Sequence, residues 1–154
     1  MLQPAPKGEK NTKDIFAIER SIILAFIVPQ RRRRYFALLD ACGGREKLTS
    51  SFAHSKDFDK RFLVSIPPKL QRPESIADML RQRGAKKTCY VWSNSATLDG
   101  REIDIEEALA AVVGYEPGTV LSCISGHLGY YEGEELNQRY ILARLDHHIN
   151  PKET

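Results

Sequence analysis

Ser21-Ile22-Ile23-Leu24-Ala25-Phe26-Ile27-Val28, closed by Pro29, is the stretch on which the fold turns. It is short, apolar and rich in β-branched side chains, which predicts a buried central strand with both sheet faces covered. The competing reading is a helix that lines up Ile15, Ile18, Ile22 and Phe26 on one face. Seven apolar residues fall far short of the roughly 20 that a membrane helix needs. Glu19 and Arg20 interrupt the approach, and no small-residue cleavage site precedes the arginines that follow. The chain therefore reads as uncleaved and cytoplasmic, with no membrane partner.

Beyond Pro29 the spacing turns helical, with Tyr35, Leu38, Leu39 and Cys42 at i, i+3, i+4 and i+7 and Gly43-Gly44 as the stop. A less regular helical stretch runs from Glu46 to about His54. Arg61 to Ile66 is a strand ended by Pro67-Pro68, and Pro73 opens a helix that closes at Gly84. Lys87 to Ser93 is the next strand. Asp99-Gly100 marks a turn, and Asp104-Ile105-Glu106-Glu107 caps a helix that stops at Gly114. Thr119 to Ile124, His127 to Glu132 and Arg139 to Arg144 supply three last strands, the first two joined by a tight turn at Ser125-Gly126.

The resulting order is β-α-(α)-β-α-β-α-β-β-β. It predicts an α+β (mixed α/β) domain: a mixed sheet flanked by helices, with a C-terminal antiparallel meander. Alternating helices and strands favour right-handed crossovers and some parallel pairing. A single globular domain is expected over residues 15–146, after a disordered tail over 1–14 and before a frayed end over 147–154. Cys42, Cys89 and Cys123 are odd in number and widely spaced, which suits reduced, buried thiols.

Charge is divided unevenly along this frame. Residues 20–90 carry sixteen Lys and Arg against six Asp and Glu, whereas residues 91–154 carry four against eleven. The basic part peaks at Arg31-Arg32-Arg33-Arg34. A helical step of about 100° puts Arg31 within the apolar stripe of Tyr35 and Leu38, and Arg33 on the opposite side. A guanidinium is not buried without a partner, so Arg31 needs an acid or a bound anion at the core's edge. Cations at a helix N-terminus also oppose the macrodipole, where anions are favoured.

Arg31, Arg32, Arg33 and Arg34 are thus candidate anion-binding residues. Ser93 and Asn94 are candidate neutral donors, emerging from a strand end that could approach them. The answering anion could equally be internal, with Glu132, Glu134 and Glu135 as the possible acidic partners. Lys56, Lys60 and Arg61 are interleaved with Asp57 and Asp59, which weakens them as a dedicated patch.

Three functions follow as expectations. The leading one is a small interaction module whose basic and acidic surfaces mediate self-association or meet a protein partner. The second is binding of a phosphorylated ligand, nucleic acid or other polyanion at Arg31–Arg34. The third is a small enzyme whose site draws on His127, Tyr131, Arg31 and a carboxylate. No spacing calls for a metal or a cofactor, His147-His148 included.

Overall fold

The computed structural model describes residues 12–144. Three helices come first: α1 (Thr12–Phe26), α2 (Pro29–Asp40) and α3 (Gly44–Ser51), followed by 3-10 turns at Phe52–His54 and Lys60–Phe62. Next come β1 (Leu63–Ser65), a 3-10 turn at Pro68–Leu70, α4 (Pro73–Gln82), β2 (Thr88–Trp92), β3 (Glu102–Asp104) and α5 (Ile105–Val112). The chain ends in β4 (Val120–Ile124), β5 (Leu128–Glu132) and β6 (Arg139–Ala143). The α+β class and the C-terminal meander are as the sequence predicts.

Most of the strand expected over Ser21–Val28 is instead the second half of α1, which ends at Phe26, and Ile27 and Val28 link it to α2. Its apolar residues continue the helical spacing of Ile15 and Ile18, so the repeat outlasts the short run. Ile22, Ile23 and Phe26 are buried while Leu24 is 57% exposed, a one-sided pattern that a strand covered on both faces would not show. The Ser21 hydroxyl donates to the Ile18 carbonyl 2.6 Å away, one turn back. Pro29 therefore does not end a strand. It occupies the first turn of α2, where its missing N–H costs nothing.

The parallel pairing expected from the alternation is absent among the described strands. The sheet order is β1-β6-β5-β4-β2-β3, and every neighbouring pair is antiparallel. The crossover through α4 does exist, but β6, β5 and β4 lie between the strands it joins. Likewise α5 leads from β3 to β4, with β2 between them. The meander thus fills the places that parallel neighbours would have taken.

Both faces of the sheet are covered. Cys89, Val91, Leu121, Tyr130 and Ile141 point toward α4 and α5. Their chain neighbours Tyr90, Trp92, Val120, Tyr131 and Leu142 point toward α1, α2 and α3. This alternation fixes the register, because a one-residue slip would exchange the two cores. Two glycines bring the α1–α3 layer close. A Cβ on Gly44 would fall 1.9 Å from the Leu38 carbonyl oxygen, so α2 and α3 meet there only without a side chain. Gly118, at φ +86°, would place one 2.9 Å from the Ala53 nitrogen, and its absence seats the turn that carries His54.

Cys89 is buried and Cys123 half-buried, but Cys42 is exposed, because α2 ends at Asp40 before reaching it. Residues 12–14 of the expected tail already belong to α1, and the rest of that tail lies outside the described residues. So does the end over 147–154.

Candidate polyanion-binding face

The first turn of α2 is a ridge between two cavities. Pro29 fixes its start, no acidic residue sits in that turn, and no side chain caps it. Arg31 and Arg34 line a cavity of about 580 Å³ on one side, together with Lys47 and Lys56. Arg32 turns to the other side, into a cavity of about 510 Å³ that also receives Arg61 and Arg144. Arg33 is exposed. Alternate steps of one helical turn thus send the arginine run in both directions, as the 3.6-residue period requires.

The carboxylate facing Arg31 is Asp57, 3.5 Å from its Nε. Asp57 also accepts the Tyr35 hydroxyl at 2.7 Å, while its carbonyl receives the Val28 N–H at 2.8 Å. The loop carrying it is therefore fastened to the end of α1. Burial, opposed by the Ser55 hydroxyl and aided by the Asp57 carboxylate, pushes the Tyr35 phenol up to about 12. Tyr35 stays a neutral donor, and Asp57 stays oriented.

Across the ridge, Arg32 Nε donates to the Ile27 carbonyl at 2.9 Å. Arg61 grips Asp59 at 2.7 and 3.0 Å, and this hydrogen bonding holds the Asp59 carboxyl below its ordinary range. Arg61 and Arg144 both lie over the Phe62 ring, 5.0 and 4.2 Å from its centroid. Arg144 is anchored by a 3.0 Å bond to the Ala25 carbonyl. Cation–ring packing of this kind positions guanidinium planes while leaving donors directed outward.

Ser93 and Asn94 do not join this face. The Ser93 hydroxyl bonds to that of Thr119 at 2.8 Å, and the Asn94 amide reaches the Thr49 carbonyl at 3.4 Å. Neither lines the cavities beside α2. Their expected approach assumed a strand before the arginines, and that segment is helical. Glu132 is buried against Arg139 at 3.0 Å and accepts the Gly114 N–H at 2.9 Å. Glu134 pairs with His54, and Glu135 lines a neighbouring cavity. Asp57 therefore stands where the sequence suggested those glutamates.

The groups offered for an enzyme each have a different partner. Arg31 faces Asp57, the Tyr131 hydroxyl donates to the Phe52 carbonyl, and His127 sits in the β4–β5 turn with its carbonyl accepting the Arg144 N–H. Among the described residues no cluster of three His, Cys, Asp or Glu could hold a metal ion, and no helix is long and apolar enough to cross a membrane.

Lys47, Lys56, Arg61 and Arg144 are the contributors that sequence reasoning missed. Lys56 and Arg61 were visible as charges, but Asp57 and Asp59 masked them. Arg144 gives no local signal, since only the β6 register carries it there. Comparison with family models, with curated proteins and with solved structures finds no match to the chain.

Proposed function

We propose that the chain binds a polyanion, the phosphodiester backbone of a single-stranded nucleic acid, across the α2 ridge. One observation carries this reading: the arginine run divides between two cavities, and each cavity gathers further cations from other elements. Such convergence is unfavourable for the isolated protein, because like charges repel and cations oppose the α2 dipole. A bound chain of phosphates offsets both, and its repeating charge suits sites on both sides of one ridge. Asp57 and Asp59 neutralise only part of this charge and serve to aim Arg31, Tyr35 and Arg61.

Association between the basic face and the acidic C-terminal part has less support. Glu132, Glu134 and Glu106 already face Arg139, His54 and Arg81. A cytoplasmic setting, where reduced thiols and nucleic acid coexist, completes the proposal.

The test is fluorescence anisotropy of a labelled mixed-sequence single-stranded oligonucleotide at low ionic strength. Saturable binding is expected. Absence of binding at 20 µM protein (roughly the middle of the non-specific range at physiological salt, which low salt tightens) contradicts the reading.

A further inference from the structure

A third cavity, of about 540 Å³, adjoins the Arg31–Arg34 cavity and shares His54, Ser55 and Lys56 with it as a common wall. Its character is different. Phe58, Tyr131 and Tyr140 form a run of rings: the first two have centroids 4.3 Å apart at 32°, the last two 6.1 Å apart at 13°. Tyr131 is locked by its bond to the Phe52 carbonyl, whereas Tyr140, at the end of the run, is half-buried and presents area to the cavity. Glu134, Glu135 and Gln138, from the loop between β5 and β6, line the same cavity.

That loop is preorganised. Gly133 donates to the Gln138 carbonyl at 2.7 Å, Gln138 donates to the Glu135 carbonyl at 3.0 Å, and the Glu135 N–H reaches the Gln138 side chain at 3.2 Å. The backbone of the loop between β5 and β6 is therefore fixed, and its two glutamates line the cavity. The balance of charge differs across the shared wall: Arg31, Arg34, Lys47 and Lys56 meet only Asp57 on one side, whereas Lys56 and Lys60 meet Glu134 and Glu135 on the other.

We infer that this cavity receives a base of the bound strand, stacked on Tyr140, with an exocyclic amino group donating to Glu135. The inference rests on the polyanion reading above. Planar rings offer a stacking surface to any base, and carboxylates accept from the cytosine amino group. The same carboxylates offset Lys56 and Lys60 there, whereas the arginine cavity keeps an excess of cations, so the backbone stays on the arginine side of the wall and the base is turned into the cavity. Thymine, with no amino group, gains the stacking without the carboxylate contact.

The experiment compares three six-nucleotide probes of equal charge: oligodeoxycytidine, oligothymidine and an abasic strand. Oligodeoxycytidine should bind roughly tenfold or more tighter than the abasic strand, the scale of one stacked base, with oligothymidine between. Tyr140→Leu should lower oligodeoxycytidine toward the abasic level, and Glu135→Ala, which removes both acceptor oxygens, should remove the cytosine-over-thymine preference. Salt-dependent binding that is equal for all three probes in the unaltered protein overturns the base site while leaving the polyanion reading standing. No binding of any probe overturns both. Salt-dependent binding of the abasic strand by the Tyr140→Leu protein serves as its folding control.

Discussion

Arg45 of α3 holds the buried carboxylate of Glu19 in α1 through three hydrogen bonds, two from Nε at 3.0 and 3.1 Å and one from Nη2 at 2.6 Å. The other edge of the same guanidinium takes Asp99 at 2.8 and 2.9 Å. Tyr90 also donates to Glu19, and the guanidinium lies 5.5 Å from the centre of the Trp92 ring. This cluster ties the α1–α3 layer, on which the arginine face is mounted, to the sheet.

Removing one member strands the other in the core. Arg45→Met should cost about 3–5 kcal/mol of unfolding free energy, the usual scale for a buried pair broken on one side. The double variant Glu19→Leu/Arg45→Met should recover only part of it, because the Tyr90 hydroxyl and Asp99 lose their partners in Glu19 and Arg45. Urea unfolding provides the measurement, and a single-variant loss below about 1 kcal/mol, as at an exposed pair, would contradict the assigned role.

Four tyrosines should report the two cores through pH. Burial is the first cause raising the hydroxyls of Tyr35, Tyr90, Tyr130 and Tyr131, with Tyr35 reaching about 12. The unfolded phenol titrates near 10. The folded state therefore keeps the proton to higher pH, and its advantage is intact below pH ~10 and lost as pH rises through the folded value. In the folded protein at pH 11 these four should remain largely unionised, and absorbance at 295 nm should rise further when urea is added. A full signal for all six tyrosines before unfolding would rule this out.

The three thiols should separate by reactivity. Cys42 is exposed, whereas Cys89 is buried and its thiol is pushed up by a hydrogen bond with Cys123 and then by burial. Fewer thiolates mean slower alkylation. Mass spectrometry after brief maleimide treatment at pH 8 should find Cys42 modified first and Cys89 only on unfolding. Early labelling of Cys89 would contradict the packing of β2 against α4 and α5.

Much of the fold was legible because its signals are local. Pro73 opens α4, and Asp104 caps α5 by accepting the Glu106 and Glu107 N–H groups at 2.9 and 3.3 Å. Ser125-Gly126 turns β4 into β5. The α1 segment misled because β-branched residues favour strands locally, while its helix is stabilised by distant partners. Glu19, which looked like an interruption of an apolar run, is the inward anchor, and its partner Arg45 lies in another helix. In the site, the arginine run was plain from the sequence. Its companions Lys47, Arg61 and Arg144 are brought in by α3, a 3-10 turn and the end of β6.

Asp57 gives a local test of the face. Asp57→Asn removes the carboxylate beside Arg31 while leaving an acceptor for Tyr35. Oligonucleotide affinity at low salt should rise, by up to roughly fivefold if the exposed pair is worth at most about 1 kcal/mol. A fall in affinity would show that aiming Arg31 matters more than its charge being partly offset.

The most direct measurement is the salt dependence of single-strand binding, compared between the unaltered protein and Arg31→Gln/Arg32→Gln/Arg34→Gln. Each phosphate contact contributes about 0.7 to the slope of log affinity against log salt. Binding to the unaltered protein should weaken steeply with salt, and the triple variant should give a slope shallower by about 2. An equal slope in the two proteins would contradict the arginine ridge as the binding face.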